Sequence, residues 1–227
     1  SRSIPNPRAM EEWMIVVLFL GLVAIAALIS LYLDRRRTAA IQAFADSWGF
    51  DYREPAKLHL PSAVWHFNLF SKGRNRRLRD LIQGRQGEAT ISVGDYSYTT
   101  GRGKNRRTHC QTVVIIESER LHLPGFLLAP ENVLHKIGGL FGHDDIDFDS
   151  HPNFSKRYLL KGFDEDSIRT CFHDGVLNFY QRRHQVSTEG HNSLLIYYKA
   201  HRLANPNDWN KLIGVAMEAY EQFIQQY

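Results

Sequence analysis

WMIVVLFLGLVAIAALISLYL, Trp13 to Leu33, runs for twenty-one residues without a charged side chain. At ~1.5 Å per residue, a helix of that length is about 31 Å long, the thickness of a bilayer's hydrocarbon core. Trp13 and Tyr32 stand at its ends, where interfacial aromatics anchor a span. Glu11-Glu12 precede the run and Asp34-Arg35-Arg36-Arg37 come after it. A secretory signal wants basic residues ahead of a shorter apolar run, and Ala24-Ile25-Ala26 is only a weak cleavage site. A buried core helix would carry a polar stripe, and the run has none.

The expectation is therefore a retained transmembrane helix over 13–33, preceded by an extracytoplasmic tail over 1–12. A juxtamembrane helix over 34–50 and a cytosolic domain over 51–227 come after it. Three arginines after the span, against Arg2 and Arg8 before it, put the N-terminus outside and the domain in the cytoplasm of a cell inner membrane. Met10 would make a natural start, with Ser1 to Ala9 an upstream extension. Cys110 and Cys171 are then expected as free thiols in a reducing compartment.

Composition constrains the remainder of the chain. In 227 residues, 43% hydrophobic and 23% charged content belongs to a folded chain rather than a disordered or low-complexity one. Two cysteines exclude a disulfide-built scaffold and a four-cysteine zinc site. The mean hydropathy of −0.36 excludes a polytopic membrane protein.

Working outward from the span, Ile41, Phe44, Ala45 and Trp48 recur at helical spacing and stop at Gly49. Pro55 to Ser62 reads as a loop. Glu88 to Thr100 alternates Ala89, Ile91 and Val93, then changes phase to Tyr96 and Tyr98, which suggests a β-bulge at Gly94-Asp95. Thr112 to Ile116 is β-branched and apolar on both faces, as a central strand is. The turn residues Gly101 to Asn105 make the pair a hairpin with a basic tip.

Phe126 to Ala129 reads as a short strand, Glu131 to Ile137 as a short helix, and Ser193 to Lys199 as a strand. Asp164 starts a helix whose apolar face is Ile168, Cys171 and Phe172, with a break at Asp174-Gly175. Asn205-Pro206 opens a final helix with Trp209, Leu212, Ile213, Ala216, Tyr220, Phe223, Ile224 and Tyr227 on one stripe. Strands in the middle and helices at the ends define an α+β fold, a mainly antiparallel sheet with flanking helices.

Two segments hold candidate chemistry. Residues 72–107 carry ten Lys/Arg against three Asp/Glu, whereas 108–227 carry eleven against fifteen. Arg102, Lys104, Arg106 and Arg107 at the hairpin tip are candidates for binding acidic lipid headgroups or an acidic membrane-protein partner. The competing expectation is a solvated loop whose charges pair with the acidic half of the domain. Nucleic acid is disfavoured because aromatics do not interleave with the basic run. Gly101-x-Gly103-Lys104 misses the phosphate-loop spacing, with Tyr98 and Asn105 where glycine and Ser/Thr are needed.

The second segment is His143 to His151. Extended, it puts His143, Asp145, Asp147, Asp149 and His151 on one face, a candidate divalent-metal set, with Ile146 and Phe148 facing a core. It is not an EF-hand loop, and an acidic edge segment has the same pattern. No other cofactor is indicated. Nucleophilic catalysis lacks its motifs: no Gly-x-Ser-x-Gly elbow occurs, and His109 points away from its neighbour Cys110 if the segment is a strand.

Asp95-Tyr96-x-Tyr98-x-x-Gly101-x-Gly103-Lys104, Gln111-Thr112-Val113, Leu123-Pro124-x-Phe126, Pro130-Glu131 and Ile137-Gly138-Gly139 succeed one another in a recognisable order. Asp145-Ile146-Asp147-Phe148-Asp149, Pro152-x-Phe154-Ser155 and Gly162-x-Asp164-Glu165 complete it. The chain resembles a family of uncharacterised bacterial proteins with one N-terminal span and a cytosolic α+β domain, over nearly all of 34–227. The resemblance implies that topology and a bacterial inner-membrane setting, and carries no activity or functional residue. The sequence favours a membrane-tethered binding, assembly or regulatory protein over an enzyme. A metal-dependent hydrolase built on 143–151 and an accessory subunit of a larger membrane complex are the alternatives.

Overall fold

A computed structural model describes residues 7–131 and 145–225. The chain divides into two compact units, 1–41 and 42–227. A single helix, α1, runs from Pro7–Trp48. By length and composition it suffices to cross a membrane: its most apolar window has a mean hydropathy of 3.0, and none of that window is buried. Within the second unit, Gly49 ends the helix at φ 67°, and the Phe50 N–H reaches back to the Ala45 carbonyl at 2.9 Å. This is the left-handed cap that glycine supplies without a Cβ penalty.

The second unit is built on one eight-stranded antiparallel sheet. Its strands are β1 (Asp51–Tyr52), β2 (Arg74–Gln86), β3 (Ala89–Thr100) and β4 (Arg107–Glu117). They continue with β5 (Leu123–Pro130), β6 (Tyr158–Gly162), β7 (Ser187–Asn192) and β8 (Leu194–Tyr198). The spatial order is β1-β2-β3-β4-β8-β7-β5-β6. The α+β architecture expected from the sequence is present, and β4 lies between β3 and β8 as its two apolar faces require.

Each face has its own cover. On one, α2 (Asn68–Ser71) and two short 3-10 turns between Ala56 and His66 lay Ala56, Leu60, Val64, Leu69 and Phe70 over Tyr96, Tyr98, Val113 and Ile196. So Pro55 to Ser62, expected as a loop, forms part of a packed lid. On the other face lie α4 (Glu165–Cys171), α5 (Asp174–Gln181) and α6 (Trp209–Ile224), with a short α3 (Pro152–Ser155) beside them. Phe126 of β5 meets Phe172 at 4.9 Å and Phe223 at 5.6 Å, ring centre to ring centre. The Asp164 carboxylate accepts the Ser167 N–H at the start of α4, as its position in the sequence implied.

The bulge is in a different strand from the one expected. β3 pairs with β4 without a break from Thr90↔Glu117 to Thr100↔Arg107. The register slips instead in β2, between Arg79↔Asp95 and Ile82↔Val93, where Asp80 takes φ 53°. Gly94 lies opposite; a Cβ there would come within 3.2 Å of the Arg79 carbonyl oxygen. The phase change along β3 therefore has another cause. Ile91 and Val93 fill one face of the sheet, Tyr96 and Tyr98 the other, and both faces are covered. The helix expected over 131–137 lies, except for Glu131, outside the described residues.

Candidate functional site

The two ends of the sheet differ in charge. Arg74, Arg76 and Arg77 open β2, while Arg102, Lys104, Arg106 and Arg107 line the β3–β4 tip, where a 3-10 turn over Gly103–Asn105 makes the bend. The Arg74 guanidinium donates to the Gly101 carbonyl at 2.8 Å, which joins the two segments into one surface. All seven cations are exposed, and none forms an ion pair among the described residues. The competing expectation, pairing with the acidic half of the domain, has no ion pair behind it among the described residues. Arg74, Arg77 and Arg107 occupy paired strand positions, and Arg102, Lys104 and Arg106 lie in the turn that β3 and β4 close.

Beside this end is a groove of 680 Å³ lined by Lys57, Leu60, Trp65, Phe70, Arg74 and Arg76 among others. The Lys57 ammonium sits 5.8 Å from the centre of the Trp65 ring, and Trp65 meets Phe70 edge-on at 5.3 Å. Arg76 donates to the Phe70 carbonyl at 2.9 Å. The groove thus offers an aromatic wall and three cations without a carboxylate in its lining.

Under the same lid lies a group that sequence reasoning missed. Glu189 of β7 is fully buried. One of its oxygens accepts the Leu69 N–H at 3.0 Å and the Tyr198 hydroxyl at 3.1 Å. A carboxylate from the sheet thereby caps α2, whose preceding residue Phe67 supplies no side-chain cap. The second oxygen, the Asn68 amide and the Tyr96 hydroxyl are buried without a hydrogen-bond partner among the described residues. Burial pushes the Glu189 carboxyl above the usual range, against the pull of the Lys72 ammonium and the hydrogen bonds. Burial also lowers Lys72, against the field of Glu189. The segment Ser187 to Asn192 carries no apolar alternation, so nothing local in the sequence marks Glu189 as a buried strand residue.

Among the described residues, the candidate metal ligands do not come together. Asp145 accepts the Leu160 N–H at 2.8 Å and ties its segment to β6. Ile146 is buried and Asp147 and Asp149 are exposed, as the alternation implied. His151 turns to the Ser150 hydroxyl at 3.0 Å and lies 3.9 Å from the Asp174 carboxylate. His143 lies outside the described residues. Among the described residues, no three His, Cys, Asp or Glu side chains gather as a cation site. His109 and Cys110 do face opposite ways: the His109 ring stacks on Tyr98 at 4.9 Å, and Cys110 belongs to the other face.

Together these features define a class: one apolar helix followed by an α+β domain with an eight-stranded antiparallel sheet, covered on both faces and cationic at one end. A solved structure has this fold. The mycobacterial trehalose monomycolate transport factor A, TtfA, superposes with a TM-score of 0.60, over 83% of this chain and 94% of that one, at 10% sequence identity. At that identity the shared property is the fold. No family model matches the chain, and no curated protein matches it.

Proposed function

We propose that this is a single-span accessory protein of a bacterial inner membrane, N-terminus outside. Its cytoplasmic domain docks an acidic surface of a membrane-protein partner through the cationic end of the sheet. Membership of the bacterial family that the sequence resembles is part of the same proposal. The observation that carries it is the set of seven exposed cations, Arg74, Arg76 and Arg77 on β2 and Arg102 to Arg107 at the β3–β4 tip, none with an ion-pair partner among the described residues. A cluster of like charges at one end of a sheet steers and orients an acidic partner. The aromatic groove beside it supplies the apolar contact that charge alone lacks. The neighbour of like fold is by name a transport factor, and an accessory role in moving a membrane component is the corresponding proposal here.

The test is charge reversal of Arg102, Lys104, Arg106 and Arg107 to Glu in the full chain, purified with its partner in mild detergent without crosslinking. The wild type is expected to hold its partner with an affinity that falls as salt rises, and the reversal to weaken it at least tenfold. Vesicles of anionic lipid added as competitor separate a headgroup target from a protein one. Unchanged capture by the variant would refute the proposal.

A further inference from the structure

On the opposite face of the sheet from the groove and Glu189 is a cleft of 520 Å³ between β8, β4 and the start of α6. Its volume is within the range of small-molecule sites, roughly 300–1,000 Å³. The floor is apolar: Val186, Tyr197, Leu212 and Val215. Arg183, Lys199, Arg202 and Lys211 stand around it, against Asp208 as the one acidic side chain of the lining. Lys211 pairs with Asp208 at 3.2 Å and Arg183 pairs with Glu218. Lys199 and Arg202 have no carboxylate partner among the described residues.

Those two cations are held in place by the backbone. The Arg202 N–H returns to the Lys199 carbonyl at 3.2 Å, closing a tight turn with His201 at φ 61°. The Thr112 N–H then bonds the Arg202 carbonyl at 3.1 Å, and the Thr112 hydroxyl accepts the Ala204 N–H at 2.9 Å. The turn is thus tied to β4, and the backbone that carries both charges is ordered before a ligand arrives. Leu203, between them and the cleft floor, stays 42% exposed although apolar surface lies beside it.

We propose that this cleft binds an anionic amphiphile with a single hydrocarbon chain. The headgroup phosphate or carboxylate meets Lys199 and Arg202, and the chain covers Leu203 and lies against Val186, Leu212 and Val215. A purely polar anion would leave that apolar floor wet, and a neutral lipid would leave two cations unanswered. An ordinary nucleotide has no glycine-rich loop here to cradle its phosphates. The site is separate from the cationic sheet end and does not depend on the docking proposal.

The test is native mass spectrometry of the full chain in a neutral detergent with three probes: lysophosphatidylglycerol, lysophosphatidylcholine of the same chain length, and inorganic phosphate as competitor. One lysophosphatidylglycerol per chain is expected, with lysophosphatidylcholine at least tenfold weaker and phosphate at millimolar concentration not displacing it. Lys199→Glu with Arg202→Glu, at a half-buried and an exposed position, should lower occupancy at least tenfold. Leu212→Trp, which keeps the cations and fills the floor, should do the same. Reversal of the four tip residues should leave occupancy unchanged. Circular dichroism confirms that each variant keeps the wild-type fold. Equal binding of the two lysolipids, displacement by phosphate alone, or a wild-type response from either cleft variant would overturn the proposal.

Discussion

Replacing Glu189 tests whether a buried carboxylate from β7 holds the lid over its face of the sheet. Glu189→Ala removes the acceptor of the Leu69 N–H at 3.0 Å and of the Tyr198 hydroxyl at 3.1 Å. A buried donor left unpaired costs about 1–3 kcal/mol. Tyr198 stays fully buried and the Leu69 N–H has no other side-chain acceptor, so the expected loss is about 3 kcal/mol. For a chain of this size that lowers the melting temperature by about 6–12 °C.

Glu189→Gln behaves differently. It keeps an acceptor oxygen and cannot ionise, so stability should stay within about 1 kcal/mol of wild type at low pH. The pH dependence fixes the sign. The folded carboxyl is raised above its ordinary value of 4.5 because burial disfavours the charged form. Its contribution to stability is therefore fully present below pH 4.5 and is lost as pH rises through the folded value. Against wild type, the Gln variant should gain stability across that window and run parallel above it. Calorimetric scans of full-length protein in detergent from pH 4 upward check both variants. A melting temperature unmoved by Glu189→Ala, or a Gln profile parallel to wild type at every pH, would refute the capping argument.

Two glycines should respond in opposite directions. A Cβ on Gly190 would sit 2.3 Å from the buried Phe126 ring, so Gly190→Ala should cost about 1–3 kcal/mol in the same scans. Gly214→Ala on the solvent side of α6, where nothing lies within 4 Å, should stabilise by about 0.5–1 kcal/mol. Alkylation at pH 8 should label Cys110 before Cys171, because burial pushes the Cys171 thiol up to about 12; mass spectrometry of quenched samples reads the order. Full-length protein should stay with membranes through alkaline carbonate washing. Val23→Arg, at a central cost of about 3 kcal/mol, should raise the extracted fraction measured by immunoblot.

Much of the fold was legible because its signals are local. The uncharged run from Trp13 to Leu33 is helical and apolar whatever surrounds it. The stripe from Trp209 to Ile224, the Asp164 cap and the β-branched Thr112 to Ile116 depend on spacing along a few turns or residues. The cationic tip was legible too, since Gly101 to Arg107 is both a turn and a charge run. β2 was not, because its five arginines hide the alternation of Leu78, Leu81 and Ile82, which a bulge interrupts as well.

Composition and pattern alone determined the apolar helix, the fold class and the place of the surplus charge, since each arises from chemistry within one segment. Tertiary structure decided the rest. It left the tip arginines without carboxylate partners among the described residues, placed Glu189 at the head of α2 across 120 residues of chain, and set Lys199 and Arg202 around an apolar floor. Those outcomes depend on which strands become neighbours, and strand order is settled by the burial of two sheet faces together rather than by any one stretch of sequence.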